Sequence, residues 1–145
     1  MATGFLLDTN VISETRKTSA DSGVMAFLAA ADSARLFLSV LTLGELHKGV
    51  EAKRRTAPAA ADQIAAWVDE IETTFADRVL PIDAATAKRW GELSAGRSLP
   101  VIDTLIAATA IGHDLILVTR NVRDVEPTGV ALVDPWRGHG ALPSG

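Results

Sequence analysis

The chain has 145 residues, 48% of them apolar, which suits one folded domain with a substantial core and leaves little room for a second. It has no cysteine, which excludes disulfides, thiolate zinc sites and a cysteine nucleophile. The three histidines (His47, His113, His139) are too scattered for a spaced ligand pair, so any metal is expected to take oxygen ligands, as Mg2+ or Mn2+ do. The net charge of −4 points to no nucleic-acid partner by itself. Neither the opening MATGFLLDTN nor any apolar run reads as a signal peptide or membrane span, so a cytoplasmic protein with no membrane partner is expected.

In chain order, Gly4–Asp8 is an apolar run ending on an acid, as a buried strand does at the edge of a sheet. Asn10–Arg16 and Asp21–Ala31 read as short helices, and Arg35–Ser39 as a second strand. From Thr42 to about Arg55, Leu43, Leu46 and Val50 recur at helical spacing. Ala57–Phe75 is an alanine-rich helix with Pro58 in its first turn, where proline is tolerated. A short strand, Val79–Ile82, and a helix, Ala84–Ala95, follow. Pro100–His113 is a helix apolar on nearly every side, and Leu115–Thr119 and Val130–Val133 are the last strands. Short strands separated by helices predict a parallel sheet covered on both faces, with a loose tail over residues 137–145.

Four acids stand out. Asp8 closes a buried strand, and ligands of open parallel sheets bind at the carboxyl ends of strands; its alternative role is to cap the helix that follows. Glu45 closes Thr42-Leu43-Gly44-Glu45, which matches a capping box. At roughly 100° per residue, however, it lies about 120° from the Leu43/Leu46/Val50 stripe, beside Gly49, which leaves space next to it. Asp103 sits in Val101-Ile102-Asp103-Thr104-Leu105-Ile106, where an ionised carboxylate costs several kcal/mol unless a cation or several donors offset it. Its alternative is a first-turn acid facing the helix dipole, which contributes about 0.3–1 kcal/mol when exposed. Asp124 is a loop acid after a late strand. In a parallel sheet the four can meet at one edge, where they repel one another unless a divalent ion sits among them.

Four segments together resemble the PIN-domain nucleases, and within them the toxin ribonucleases of VapBC-type toxin–antitoxin pairs. They are Leu7-Asp8-Thr9-Asn10-Val11-Ile12-Ser13-Glu14, Ser39-Val40-Leu41-Thr42-Leu43-Gly44-Glu45-Leu46, Ile102-Asp103-Thr104-Leu105-Ile106-Ala107-Ala108-Thr109-Ala110 and Val118-Thr119-Arg120-Asn121-Val122-Arg123-Asp124. They stand in the family's order and spacing between about Phe5 and Trp136. The resemblance implies a three-layer α/β/α sandwich over residues 1–136 with about five parallel strands. It also implies Mg2+-dependent endoribonuclease activity, with Mn2+ as a substitute, homodimerisation, and inhibition by an antitoxin whose C-terminal segment enters the groove.

Residue by residue, the resemblance implies metal ligation by Asp8 and Asp103, with Glu45 direct or through water. The fourth family position falls on Asn121 in some members and Asp124 in others, so Asp124 is a water-mediated candidate. Such a site needs no protein nucleophile, because a carboxylate-held ion activates water against the phosphodiester; the resemblance implies products with 5′-phosphate and 3′-hydroxyl ends. Asn10 and Thr119 are candidates to hold water or orient Asp8. Arg16, Lys17, Lys48, Arg97, Arg120 and Arg123 are candidates to contact RNA phosphates. Two rivals are a phosphoacceptor domain, for which Asp8-Thr9-Asn10 lacks the second acid, and a catalytically silent PIN-like domain that binds RNA or protein.

Overall fold

The computed structural model describes residues 3–137, so the expected loose tail lies outside the described residues except for Arg137. Strand β1 (Phe5–Leu7) leads into α1 (Thr9–Thr15) and α2 (Ser22–Ala30). Strand β2 (Leu36–Ser39) is followed by α3 (Val40–Arg54) and α4 (Pro58–Thr74), and β3 (Val79–Leu80) by α5 (Ala84–Ser94) and α6 (Val101–Gly112). Strand β4 (Ile116–Val118), a four-residue helix α7 (Val122–Val125) and β5 (Leu132–Val133) complete the order. The five strands form one parallel sheet in the order β3-β2-β1-β4-β5.

Alternation along the strands builds the three layers. Phe5, Leu7, Leu36, Leu38, Val118 and Val133 join the core shared with Val11, Val24, Phe27, Leu46 and Val68, so α1 to α4 cover that face. Phe5 and Phe27 meet edge to face there, with ring centroids 5.1 Å apart. Leu6, Phe37, Leu117 and Leu132 point the other way, to Ile106, Ala107 and Ala110 of α6 and Val125 of α7. Each strand buries both its faces, which is why apolar runs rather than alternation mark the strands in the sequence. Among the described residues no helix is long and apolar enough to cross a membrane.

The structure corrects the sequence reading in three places. Helix α3 starts at Val40, not Thr42, and its cap is Ser39, whose Oγ accepts from the Leu41 amide at 3.0 Å. The capping box at Thr42–Glu45 therefore does not form. The segment read as a loop up to Asp124 closes into α7, with Asp124 in its first turn. Helix α6 is not enclosed throughout: Val101 and Ile102 at its start are 56% and 37% exposed, and full burial begins at Thr104.

Candidate active site

Strand order decides where the acids can meet. The chain runs outward from β1 to β2 and β3 on one side, then returns to place β4 and β5 on the other. The order therefore reverses between β1 and β4, and in an open parallel sheet the crevice at the carboxyl ends of such a pair is the natural ligand site. Asp8 ends β1 and Thr119 ends β4, and the Asp8 amide donates to the Val118 carbonyl at 2.9 Å, extending the ladder by one residue.

Asp8 is 6% exposed, and each of its carboxylate oxygens has a donor. The Thr9 amide donates to Oδ1 at 2.8 Å, and the buried Thr119 hydroxyl donates to Oδ2 at 2.7 Å. Asp8 thus does cap α1, and the cap also aims the carboxylate. Burial pushes its pKa up, the bonds from Thr119 and Thr9 pull it back, and the charge of Glu45 raises it again. The cap and the ligand readings of Asp8 are compatible, because each oxygen keeps lone-pair capacity beyond its one donor.

Glu45 projects from the exposed face of α3, as the helical angle from the apolar stripe predicts. Its Oε1 accepts from the Thr9 hydroxyl at 2.5 Å, and that hydroxyl lies 3.1 Å from Oγ1 of the fully buried Thr42. The residue suspected of belonging to a cap box thus supports the site from inside the fold. Asp103, in the first turn of α6, is half-buried. Burial pushes its carboxyl up to about 6, and the charges of Asp8, Asp124 and Glu45 each add to the effect. Asp103 thus feels the charge of three acids that come from three other segments of the chain.

Among the described residues, no salt bridge reaches any of the four acids. Nor do three of them converge into a ready-made ligand set there. The donors are all oxygen, the charge is uncompensated, and Asp8 is held in place by hydrogen bonds that favour its ionised form. This chemistry fits a hard divalent cation such as Mg2+, which keeps several waters and takes few protein carboxylates.

The supporting and basic residues divide. Thr119 orients Asp8, and its oxygen also accepts from the Asn121 amide at 3.0 Å, so Asn121 contributes backbone rather than side chain. Asn10 does not share that role: its Oδ1 is buried without a partner among the described residues. Arg16 is exposed beside Glu45, while Lys48 lines a separate recess with Glu51 and Arg55. Arg120 lies over the Trp136 ring, 5.2 Å from its centroid, and lines one recess with Arg123 and Asp124. Two of the expected phosphate contacts also have partners within the fold. Arg97 donates to the Pro127 carbonyl at 2.6 Å, and Lys17 pairs with buried Glu14 at 2.9 Å. Thr9 and Thr42 escaped the sequence reading; the available signal was a hydroxyl placed directly after the strand-end acid.

Comparison with known proteins agrees with this geometry. The model of the PIN domain family matches residues 5–125. The VapC ribonuclease Y4jK of Sinorhizobium fredii is 34% identical over 140 residues, covering 90% of this chain and 96% of that protein. The crystal structure of FitAcB from Neisseria gonorrhoeae is similar with a TM-score of 0.84 at 30% identity, over 92% of this chain and 99% of that one. VapBC-5 of Mycobacterium tuberculosis, from the VapBC family of toxin–antitoxin systems, is similar with a TM-score of 0.59 at 26% identity, over 92% of this chain and 97% of that one. The family match spans most of the sheet and all four acids, and on that ground the chain belongs to the PIN-domain family.

Proposed function

We propose that the chain is a Mg2+-dependent endoribonuclease and the toxin of a type II toxin–antitoxin pair. That it is a ribonuclease of the VapC kind follows from its family and its relatives. The observation that supports the finer reading is the strand-end Asp8 at the β1/β4 edge, with its charge and those of Asp124 and Glu45 acting on half-buried Asp103 and no salt bridge to any of the four among the described residues. Asp8 and Asp103 would hold the ion, with Glu45 beside them and Asp124 acting through water. Bound there, the ion would supply a water acidic enough to attack at neutral pH, and positive charge for the scissile phosphate.

The chain's own groups prepare that site. Thr119 and the Thr9 amide fix the Asp8 carboxylate and offset part of the rise in its pKa that burial causes. The Thr9 hydroxyl holds Glu45 toward the cluster, so α1 and α3 keep a set spacing. Arg16 shares a recess with Glu45, and Arg120 and Arg123 share one with Asp124, where they would offer positive charge to the RNA backbone. Attack by water on phosphorus with departure of the 3′ oxygen, which takes up a proton, would leave 5′-phosphate and 3′-hydroxyl ends.

We further propose a homodimer, a cytoplasmic location and a cognate antitoxin. Exposed Val40, Val101 and Ile102 support a protein contact, and relatives from toxin–antitoxin systems support the partner. The test is cleavage of end-labelled RNA by the purified chain in chelator, in Mg2+ and in Mn2+. Cleavage in either metal and none in chelator is expected. No cleavage in any of the three would overturn the reading in favour of a silent RNA- or protein-binding domain.

A further inference from the structure

Beside the acids, on the α1 side, lies a recess of about 200 Å3 that the reaction described above leaves unused. Helix α1 contributes Arg16, α3 contributes Glu45, Leu46 and Gly49, and α4 contributes Ile64 and Trp67. Leu46, Ile64 and Trp67 give the lining its apolar part and Thr9 and Ser13 of α1 add hydroxyls, while Glu45 is shared with the acids and Arg16 is exposed. Arg16 forms no salt bridge among the described residues.

Three features bear on what enters. Trp67 is half-buried and packs on the main core, so its ring is a fixed surface rather than a loose one. Gly49 lies one helical turn after Glu45, on the same face of α3, and nothing stands within 4 Å of the place its Cβ would occupy. Glycine within a helix is less stable than alanine, and no packing contact here requires it; its effect is to keep the recess open. The charge arrangement is the third. Glu45 and its neighbours repel a carboxylate or phosphate placed inside, whereas a neutral ring suffers no such penalty and leaves its phosphate for Arg16. A partner helix, about 10–12 Å across with its side chains, needs a groove rather than a recess of this size.

We propose that this recess is a nucleobase subsite. A base next to the scissile phosphate leaves its stack and lies against Trp67, with its phosphate toward Arg16. Single-stranded RNA is commonly read in this way, by aromatic rings on which unstacked bases rest. The inference rests on the nuclease reading of the adjoining acids and adds to it the position that reads sequence.

The test uses the whole chain, 15N-labelled, and the four 5′-nucleoside monophosphates, which carry base and phosphate but no phosphodiester bond to cleave. In Mg2+, the Trp67 indole N–H resonance (the one lost in Trp67→Phe) should shift with at least one nucleotide and stay unmoved by ribose 5-phosphate. Gly49→Leu places a side chain in the recess and should weaken that binding by about 5- to 100-fold, the range that base stacking of about 1–3 kcal/mol implies. The comparison of nucleotide with ribose 5-phosphate needs no variant, so it stands even if Gly49→Leu folds poorly. The proposal is overturned if no nucleotide moves Trp67, if ribose 5-phosphate moves it equally, or if a well-folded Gly49→Leu binds as the parent does. It is also overturned if N-acetyl-leucinamide moves Trp67 where nucleotides do not, which assigns the recess to a protein partner. RNA cleavage by the parent, measured alongside, separates the two readings. Nucleotide binding without cleavage keeps the subsite and refutes the nuclease; cleavage without nucleotide binding does the reverse.

Discussion

Replacing Asp103 with asparagine keeps the side chain's volume and hydrogen-bonding capacity while removing one negative charge from the acid cluster. Burial, followed by the charges of Asp8, Asp124 and Glu45, pushes the Asp103 carboxyl from 3.8 up to about 6. Between these two values the folded chain binds more protons than the unfolded chain. Stability contributed by this group is therefore present below about pH 4, falls as the pH rises to about 6, and stays lower above it. At 1.36 kcal/mol per pH unit the difference corresponds to about 3 kcal/mol. Asp103 is half-exposed, and screening by solvent reduces this to about 1 kcal/mol. Without metal, Asp103→Asn should be more stable than the parent by about that amount at pH 7.5, or about 3 °C in Tm, with little difference at pH 4. In Mg2+ the order should reverse, because the parent gains stability from the bound ion while the variant binds it poorly. RNA cleavage should fall by orders of magnitude. The assay is thermal melting by circular dichroism at both pH values, in chelator and in Mg2+, beside cleavage of labelled RNA. A variant that cuts RNA at the parent rate would refute the metal assignment. A variant that loses a few tenths of a kcal/mol in chelator at pH 7.5 would identify Asp103 as a helix-dipole acid instead.

Five further substitutions test other parts of the site and its frame. Glu45→Gln should leave urea stability within about 0.5 kcal/mol of the parent, because Ser39 and not Glu45 serves the start of α3, while RNA cleavage drops; a loss near 1 kcal/mol would restore the cap reading. Thr119→Val removes a buried donor from Asp8, so a loss of about 1–3 kcal/mol and weaker Mg2+ stabilisation are expected, with Thr119→Ser restoring both; equal behaviour of Val and Ser would show that the hydroxyl has no part. Gly23→Ala sets a Cβ 2.2 Å from the Pro135 carbonyl oxygen and should cost about 1–3 kcal/mol in chemical denaturation, whereas Gly91→Ala in α5 meets nothing and should gain up to about 1 kcal/mol. If both alanines have the same effect, close approach of α2 to the chain after β5 is not what Gly23 provides.

Each residue of the site was legible to a different degree. Asp103 stands out because an ionised acid is costly in an apolar helix, and the structure leaves it half-buried in the first turn of α6, within the influence of Asp8, Asp124 and Glu45. Asp8 was marked by the end of an apolar run, yet its neighbours could not be read from its own segment. Glu45 was obscured by a local pattern, Thr42 to Glu45, that matched a cap while the helix began earlier, at Val40. Among the basic residues, Arg97 and Lys17 looked equivalent to Arg16 until their partners, the Pro127 carbonyl and Glu14, were visible.

What the sequence determined alone is what each segment does with its own surface. Apolar runs of three or four residues read as strands buried on both faces, and the Leu43/Leu46/Val50 stripe on α3 as a face turned to the core. Proline at the start of α4 follows from backbone constraints within its first turn. The tertiary structure decided which ends stand together. Asp8 and Thr119 are 111 residues apart, and only the sheet order, with β1 beside β4, puts the hydroxyl of one on the carboxylate of the other. Thr9 and Glu45 meet across 36 residues for the same reason, since α1 and α3 leave adjacent strands at the same edge. Patterns along a chain report how much of each segment is buried. They do not report against what, because the partner across a parallel sheet is set by the packing of the helices that connect its strands.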